Sequence, residues 1–440
     1  MAEVETKAAA HPAGAAVDER DFASLVRRHV APFSAVKSLM ERTVSGGDVA
    51  RQAFAGIQQR AEDFVSFLDD HGARSNRTYA PLAEYAASVR GFAKMGRHLS
   101  HMEARLDREL PLPLGHENRF RDETRRTLEF VKWSLANLQE EALAEAGRLL
   151  GEPVHPPIDT QGDAIRDPSL HLPSTLDEAA VPQPERWIAE IASKFLAHKR
   201  ILDRQSGFRA WADAEEMRTF VLEVSDEEQV RFYTTRILNV LSRYDTYIQG
   251  TSTEKQDPEL MCFRSFVVTS LHLLEVMAEL VHFYERHEND VRSETAKDRI
   301  AELVDKQMVL DRVLNYGLNF LHVYMDEIAP QAETLVERYT RQTVAKCDVP
   351  DGVSLHARPV SLIARVVDHY GTPVQMSIGE TTCYAGSILQ VLMAAGQNPT
   401  ARQVTFKGDK KPLEDLCALF EHGLGETELP LPKQLGYLAR

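Results

Sequence analysis

The chain has 440 residues, 43% hydrophobic and 27% charged, with a formal net charge of −15. That composition excludes collagen, a wholly disordered chain and a small disulfide scaffold, and leaves room for about two to four domains. The acidic balance argues against a broad phosphate-binding surface for nucleic acid. The four separated cysteines (Cys262, Cys347, Cys383, Cys417), without a CxxC pair, give neither a zinc ribbon nor a readable disulfide framework and fit a reducing cytoplasm.

Residues 1–18 read as a flexible tail of small residues with no apolar core of signal-peptide length. Residues 19–150 read as a helical block. Leu128, Val131, Leu135, Leu138 and Ala142 alternate spacings of three and four, the seam of packed helices, and Trp133, off that seam, is expected to pack on another neighbour. Residues 151–184 carry Pro153, Pro156, Pro157, Pro168, Pro173, Pro182 and Pro184 and read as a linker or long loop, because proline removes a backbone donor and restrains the residue before it.

Residues 185–341 read as a second helical block. Ser225-Asp226-Glu227-Glu228 predicts a capping box. Leu273, Met277, Leu280, Val281 and Tyr284 form one apolar face, and Leu303, Leu310, Leu314, Gly317, Leu318, Leu321 and Met325 form another. Polar joints at Gly250-Thr251-Ser252-Thr253 and Asn289-Asp290 divide the helices into a bundle or array. The most apolar stretch, Ser265–Tyr284, contains His272, Glu275, Glu279 and His282, which are costly in a bilayer. A soluble, cytoplasmic protein without membrane contact is the expectation.

Residues 342–440 have a different texture. A strand near Thr343–Asp348 is followed by a turn at Val349-Pro350-Asp351-Gly352 and a helix carrying Val360, Ile363, Ala364 and Val367. Val374, Met376 and Ile378 alternate as a strand does, Ser387 to Ala395 reads as a helix stopped by Gly396, Val404 and Phe406 alternate again, and Leu413, Leu416, Cys417 and Phe420 form a last helical face. The order is β-α-β-(β)-α-β-α. The fold class is therefore multidomain: a mainly α-helical N-terminal region followed by a small α+β domain. From Cys347 onward there are eight Lys/Arg and ten Asp/Glu, so −13 of the net −15 belongs to the rest of the chain.

The run Leu355-His356-Ala357-Arg358-Pro359 lies between a strand and a helix. Pro359 suits the first turn of a helix, which puts His356 at or just before its start. A helix N-terminus offers free N–H groups and partial positive charge, a natural anion site, and Arg358 adds a permanently cationic planar donor. A neutral imidazole there can receive a phosphoryl group and pass it on, because phosphoryl transfer depends on positioning and charge stabilisation. The plainer alternative is a helix-capping histidine beside an exposed arginine.

Residues from about Thr343 to Phe420 resemble HPr, the histidine phosphocarrier of the phosphoenolpyruvate-dependent phosphotransferase system. Its G-L-H-A-R-P-like run stands here as Ser354-Leu355-His356-Ala357-Arg358-Pro359, and its second site as Ala385-Gly386-Ser387-Ile388-Leu389. The resemblance implies an HPr-like open-faced β-sandwich with His356 as the phosphoacceptor and Arg358 stabilising the phosphohistidine. It implies Ser387 as a regulatory phosphorylation position, and Ile388, Val391 and Leu392 as a docking face for partners such as enzyme I. It also implies an enzyme I-like phosphoryl donor and a phosphoryl acceptor or regulatory partner. Ser354 stands where the family usually has glycine, so its β-carbon is expected to alter the turn. Gly386 stands where kinase-regulated members commonly have a basic residue, and a plain N-cap is the alternative for Ser387.

The fullest reading is a phosphocarrier or phospho-signalling protein with the helical region as its regulatory or output module. It is a phosphoryl-group carrier rather than an enzyme with its own small-molecule substrate. The alternatives are a non-phosphorylated docking module on a helical scaffold, and a helical ligand sensor regulated by the C-terminal domain. No cofactor or metal is expected: Glu279 with His282, alongside His272 and His322, and His98 with His101 and Glu103, read as core-border or solvated groups. No Walker A loop and no GxSxG elbow is present.

Overall fold

A computed structural model describes residues 18–44, 46–106, 115–155, 184–288, 294–340, 342–426 and 431–439. The expected tail, Asp18 apart, lies outside the described residues, as do 156–183 of the expected linker and the Asn289-Asp290 joint. The described chain is mainly helical, with a small four-stranded antiparallel sheet near the C-terminus. The first helices are α1 (Glu19–Ser34), α2 (Val36–Thr43), α3 (Gly47–Asp70), α4 (Ala80–Arg105), α5 (Glu117–Leu150) and α6 (Pro184–Gln205). They are followed by α7 (Ala214–Glu223), α8 (Glu227–Tyr247), α9 (Ser252–Gln256), α10 (Pro258–Glu288), α11 (Glu294–Leu303), α12 (Lys306–Asp311) and α13 (Asn319–Tyr339). The C-terminal part is β1 (Gln342–Asp348), α14 (Ala357–Tyr370), β2 (Gln375–Ile378), β3 (Thr381–Tyr384), α15 (Ile388–Gln397), β4 (Gln403–Asp409) and α16 (Lys410–Glu421).

The described residues within Met1–Arg108, Arg121–His171 and Glu279–Val313 form one compact unit. Its aromatic core begins at Phe22, whose ring meets Tyr79 edge-on at 4.7 Å and Phe67 at 5.6 Å. α3 and α4 approach so closely that a β-carbon on Gly96 would lie 2.3 Å from the Phe54 ring. The α5 seam (Leu128, Val131, Leu135, Leu138, Ala142) is fully buried, each large residue contributing about 1.5–3 kcal/mol of apolar burial. Trp133 departs from expectation: it is 55% exposed, because it projects from the face of α5 opposite the seam. The apolar run expected from Leu303 to Met325 is not one helix face. Asp305 caps α12, accepting from the Gln307 and Met308 amides at 2.9 and 3.1 Å, and a π-helical turn spans Arg312–Leu318. An Asx cap stops one helix and starts the next, overriding the apolar period.

The second unit comprises the described residues within Glu109–Phe120, Leu172–Ala278 and Leu314–Arg440. The two helical blocks expected in chain order are thus divided differently, since 279–313 groups with the first unit. α8 opens with Asp226 as its N-cap, accepting from the Gln229 amide at 2.8 Å, so Ser225 is not the cap the sequence pattern suggested. α6 packs on α13, Trp187 stacks on Tyr247 at 3.9 Å, and the Asn315 and Asn319 amides clasp the Trp211 and Arg209 backbones. α10 is long and apolar enough to cross a membrane by composition, but 72% of its most apolar window is buried in the fold, as in a core helix.

The sheet has strand order β1-β4-β2-β3, all antiparallel, with Cys347 opposite Val404 and Met376 opposite Phe406. Met376, Ile378, Val404 and Phe406 lie on the covered face and pack with Val360, Ile363, Val367, Val391, Leu416 and Phe420. The opposite face exposes Val344, Lys346, Gln375, Gln403 and Lys407. α15 runs past Gly396 to Gln397. Its cap is Asn398, whose side-chain amide donates to the Ala394 carbonyl at 3.0 Å, so the glycine does not stop it.

Within this unit α6 meets the C-terminal domain at the end of α14. The Arg186 guanidinium lies 5.3 Å from the centre of the Tyr370 ring. Gly371 has φ +68°, and a β-carbon there would lie 2.7 Å from Glu190 Cγ, so glycine serves both the helix end and the contact.

Candidate functional site

The loop after β1 is anchored by the Val349 amide on the Arg402 carbonyl at 2.8 Å and turned by Gly352 at φ +78°. The left-handed position is therefore Gly352. Ser354, where a β-carbon was expected to disturb the turn, is outside the left-handed region. Leu355 is half-buried against the domain core and fixes the entry to α14.

His356 is the N-cap of α14. Its amide donates to the Ser354 carbonyl at 3.0 Å, and its carbonyl accepts from Val360 at 3.1 Å. Its side chain makes no capping bond and is 51% exposed. The capping alternative for this imidazole thus has no hydrogen bond to carry it. The first amides of a helix have no intrahelical acceptor, so those of Ala357 and Arg358 can donate to an external acceptor at this end of α14. Arg358 is 71% exposed on the same turn.

Sequence reasoning missed a third residue. Glu426 Oε2 lies 3.5 Å from His356 Nε2, and its Oε1 lies 3.8 Å from Arg358 Nε. It is delivered by Gly423-Leu424-Gly425, three successive residues with φ of +77°, +55° and +74°. A non-glycine residue in that region costs roughly 1–3 kcal/mol. Leu424 is fully buried, which returns about 1.5–3 kcal/mol. A β-carbon on Gly425 would lie 2.8 Å from Leu362 of α14, so the segment passes close against the helix that carries His356. The sequence signal was a leucine between glycines directly after an amphipathic helix.

Ser387 is the N-cap of α15, its hydroxyl accepting from the Gln390 amide at 3.4 Å. A β-carbon on Gly386 would lie 2.6 Å from the Tyr384 ring, so a basic side chain there requires that ring to move. The expected docking face needs one correction. Val391 is fully buried in the domain core, because it lies on the side of α15 turned to the sheet. Ile388 is 44% exposed and Leu392 half-buried, and the outward stripe is completed by Leu389 (68%) and Met393 (57%).

The remaining candidates lie apart from this site. Glu279 pairs with Lys94 at 2.9 Å, and His282 accepts from Arg286 at 3.2 Å. Glu103 is 4.0 Å from Arg125, and burial lowers His101 to about 4. His322 Nε2 is 2.8 Å from Ser206 Oγ, holding the end of α6 to α13. Among the described residues no group of three or more His, Cys, Asp or Glu side chains could hold a metal ion. No family model, curated protein or solved structure matches the chain.

Proposed function

We propose that this chain is an HPr-like phosphocarrier or phospho-signalling protein in which His356 accepts a phosphoryl group from enzyme I or a similar phosphohistidine donor. The observation that carries the reading is the exposed, uncapped His356 ring at the start of α14, with Arg358 on the same turn and both facing one carboxylate. The sandwich of four antiparallel strands with helices on one face supports it. In the transfer, the lone pair of a neutral His356 ring attacks phosphorus. The N–P bond of the donor breaks, and its electron pair returns to the donor imidazole. Glu426 faces the Nε2 side of the ring at 3.5 Å, which leaves Nδ1 as the attacking nitrogen. Arg358 then turns from Glu426 to the phosphoryl oxygens, and the α14 amides supply the remaining positive potential.

The helical region is the regulatory or output module in this reading. Its contacts with the domain include Tyr370 and Gly371, about 20 Å along α14 from His356, and the 51% exposed ring stays open to a donor. The exposed Leu389–Met393 stripe also supports a docking role without transfer. Incubating the chain with enzyme I and phosphoenolpyruvate separates the two readings. An acid-labile, alkali-stable label on wild type that is absent from His356→Ala supports transfer. No label, with an authentic HPr labelled in parallel, refutes it and leaves docking.

A further inference from the structure

We propose that Cys347 and Cys417 form a redox modification site, a thiol pair that closes to a disulfide inside the C-terminal domain on meeting a low-molecular-weight disulfide of the glutathione class. Cys347 lies near the end of β1 and Cys417 in the middle of α16, seventy positions apart in the chain. Both are free thiols, and their Sγ atoms lie 2.9 Å apart. That is inside the roughly 3.5–4.0 Å of ordinary non-bonded contact and less than about 1 Å beyond a bonded pair. Helix and strand are already fixed by the core around them, so closure needs side-chain adjustment rather than refolding.

The two thiols have different access. Cys347 is 6% exposed, whereas Cys417 is half-buried and is the one a small reagent can reach. The Cys417 thiolate attacks one sulfur of glutathione disulfide, one glutathione leaves, and a mixed disulfide remains on Cys417. The Cys347 sulfur then attacks that Cys417 sulfur and expels the second glutathione. The two thiol protons end on the two glutathiones, the protein pair is oxidised by two electrons and the reagent is reduced by two. Burial and the hydrogen bond shared with Cys417 push the Cys347 thiol up, so little of it is thiolate; its attack is the slow step, and closure accelerates as pH rises. The bond would tie the strand that opens the sheet to the helix that leads into Gly423–Glu426.

The test uses the full chain equilibrated in glutathione redox buffer, alkylated, digested and mass-analysed. The Cys347 and Cys417 peptides should be recovered joined, with the chain two hydrogen atoms lighter and Cys262 and Cys383 alkylated. The joined pair should persist in the Cys262→Ser/Cys383→Ser variant, disappear in Cys417→Ser, and raise the unfolding temperature of the oxidised chain until reductant is added. Recovery of both thiols alkylated overturns the proposal. So does an unresolved glutathione adduct on Cys417, or a bond joining two chains.

Discussion

Replacing Glu426 by Gln keeps the shape of the side chain and removes the negative charge that, among the described residues, pairs with His356 and Arg358. Its oxygens lie 3.5 and 3.8 Å from those groups. A phosphoryl group on Nδ1 carries nearly two negative charges and stands about 7 Å from a carboxylate on the Nε2 side of the ring. At that distance each charge costs about 0.6 kcal/mol in water-like dielectric, so the pair costs about 1.2 kcal/mol, and physiological salt reduces this to about 0.5–1 kcal/mol. The ion pair that Glu426 gives Arg358 in the unphosphorylated state is surface-exposed and adds less than about 1 kcal/mol to the same side. The substitution should therefore shift the equilibrium between donor and acceptor toward phospho-His356 by about 2- to 30-fold, most strongly at low ionic strength. The assay is the phosphorylated fraction at equilibrium with a limiting phosphohistidine donor, at low and high salt. An unchanged or lowered fraction, with His356 still labelled, would refute the placeholder role of Glu426 while leaving the acceptor role of His356 standing.

Other consequences follow from packing and titration. Leu389→Asp should leave the fold intact and weaken donor docking, whereas Val391→Asp should unfold the domain by burying an unpaired charge; circular dichroism and labelling rate separate the two. Gly96→Ala should destabilise the first unit by about 1–3 kcal/mol, read as a lower unfolding temperature, because its β-carbon meets Phe54. Burial lowers His101, His198 and His287 to about 4 from an unfolded value of 6.5. Their contribution is present above about pH 6.5. It is lost as pH falls toward 4, because the unfolded chain takes up protons the folded one refuses. Stability measured between pH 7 and 4.5 should fall, and His287→Gln should flatten that fall.

The sequence made the C-terminal domain legible because its signals agreed. Alternation in Val404 and Phe406, helical spacing in α14 and α16, and the glycine turn at Gly352 each point to one element and one face. The helical region was legible as helix but not as packing. A seam such as Leu128–Ala142 announces a buried face without naming its partner, and described residues of 279–313 join the first unit although they lie within the second block of the chain. Val391 was misplaced for a related reason. On an apolar helix of ten residues, the buried and exposed sides carry the same kind of side chain, and only the sheet beneath decides which is which.

Glu426 and the thiol pair were hidden by distance along the chain. His356 and Glu426 are brought together by a left-handed segment whose cost is offset by burying Leu424, and Cys347 meets Cys417 because β1 and α16 share one core. A motif records the residues of one turn; a carboxylate that completes the site from the far end of the domain leaves no local trace. The same geometry gives the two ends of one helix different surroundings. The α14 start holds the exposed ring, and its end is held by Tyr370 and Gly371 against α6. A charge added at the first end acts on a helix whose other end is already fixed. In the proposed reading, a phosphoryl group on His356 would reach the helical region only as a change in how α14 and the Gly423–Glu426 segment pack.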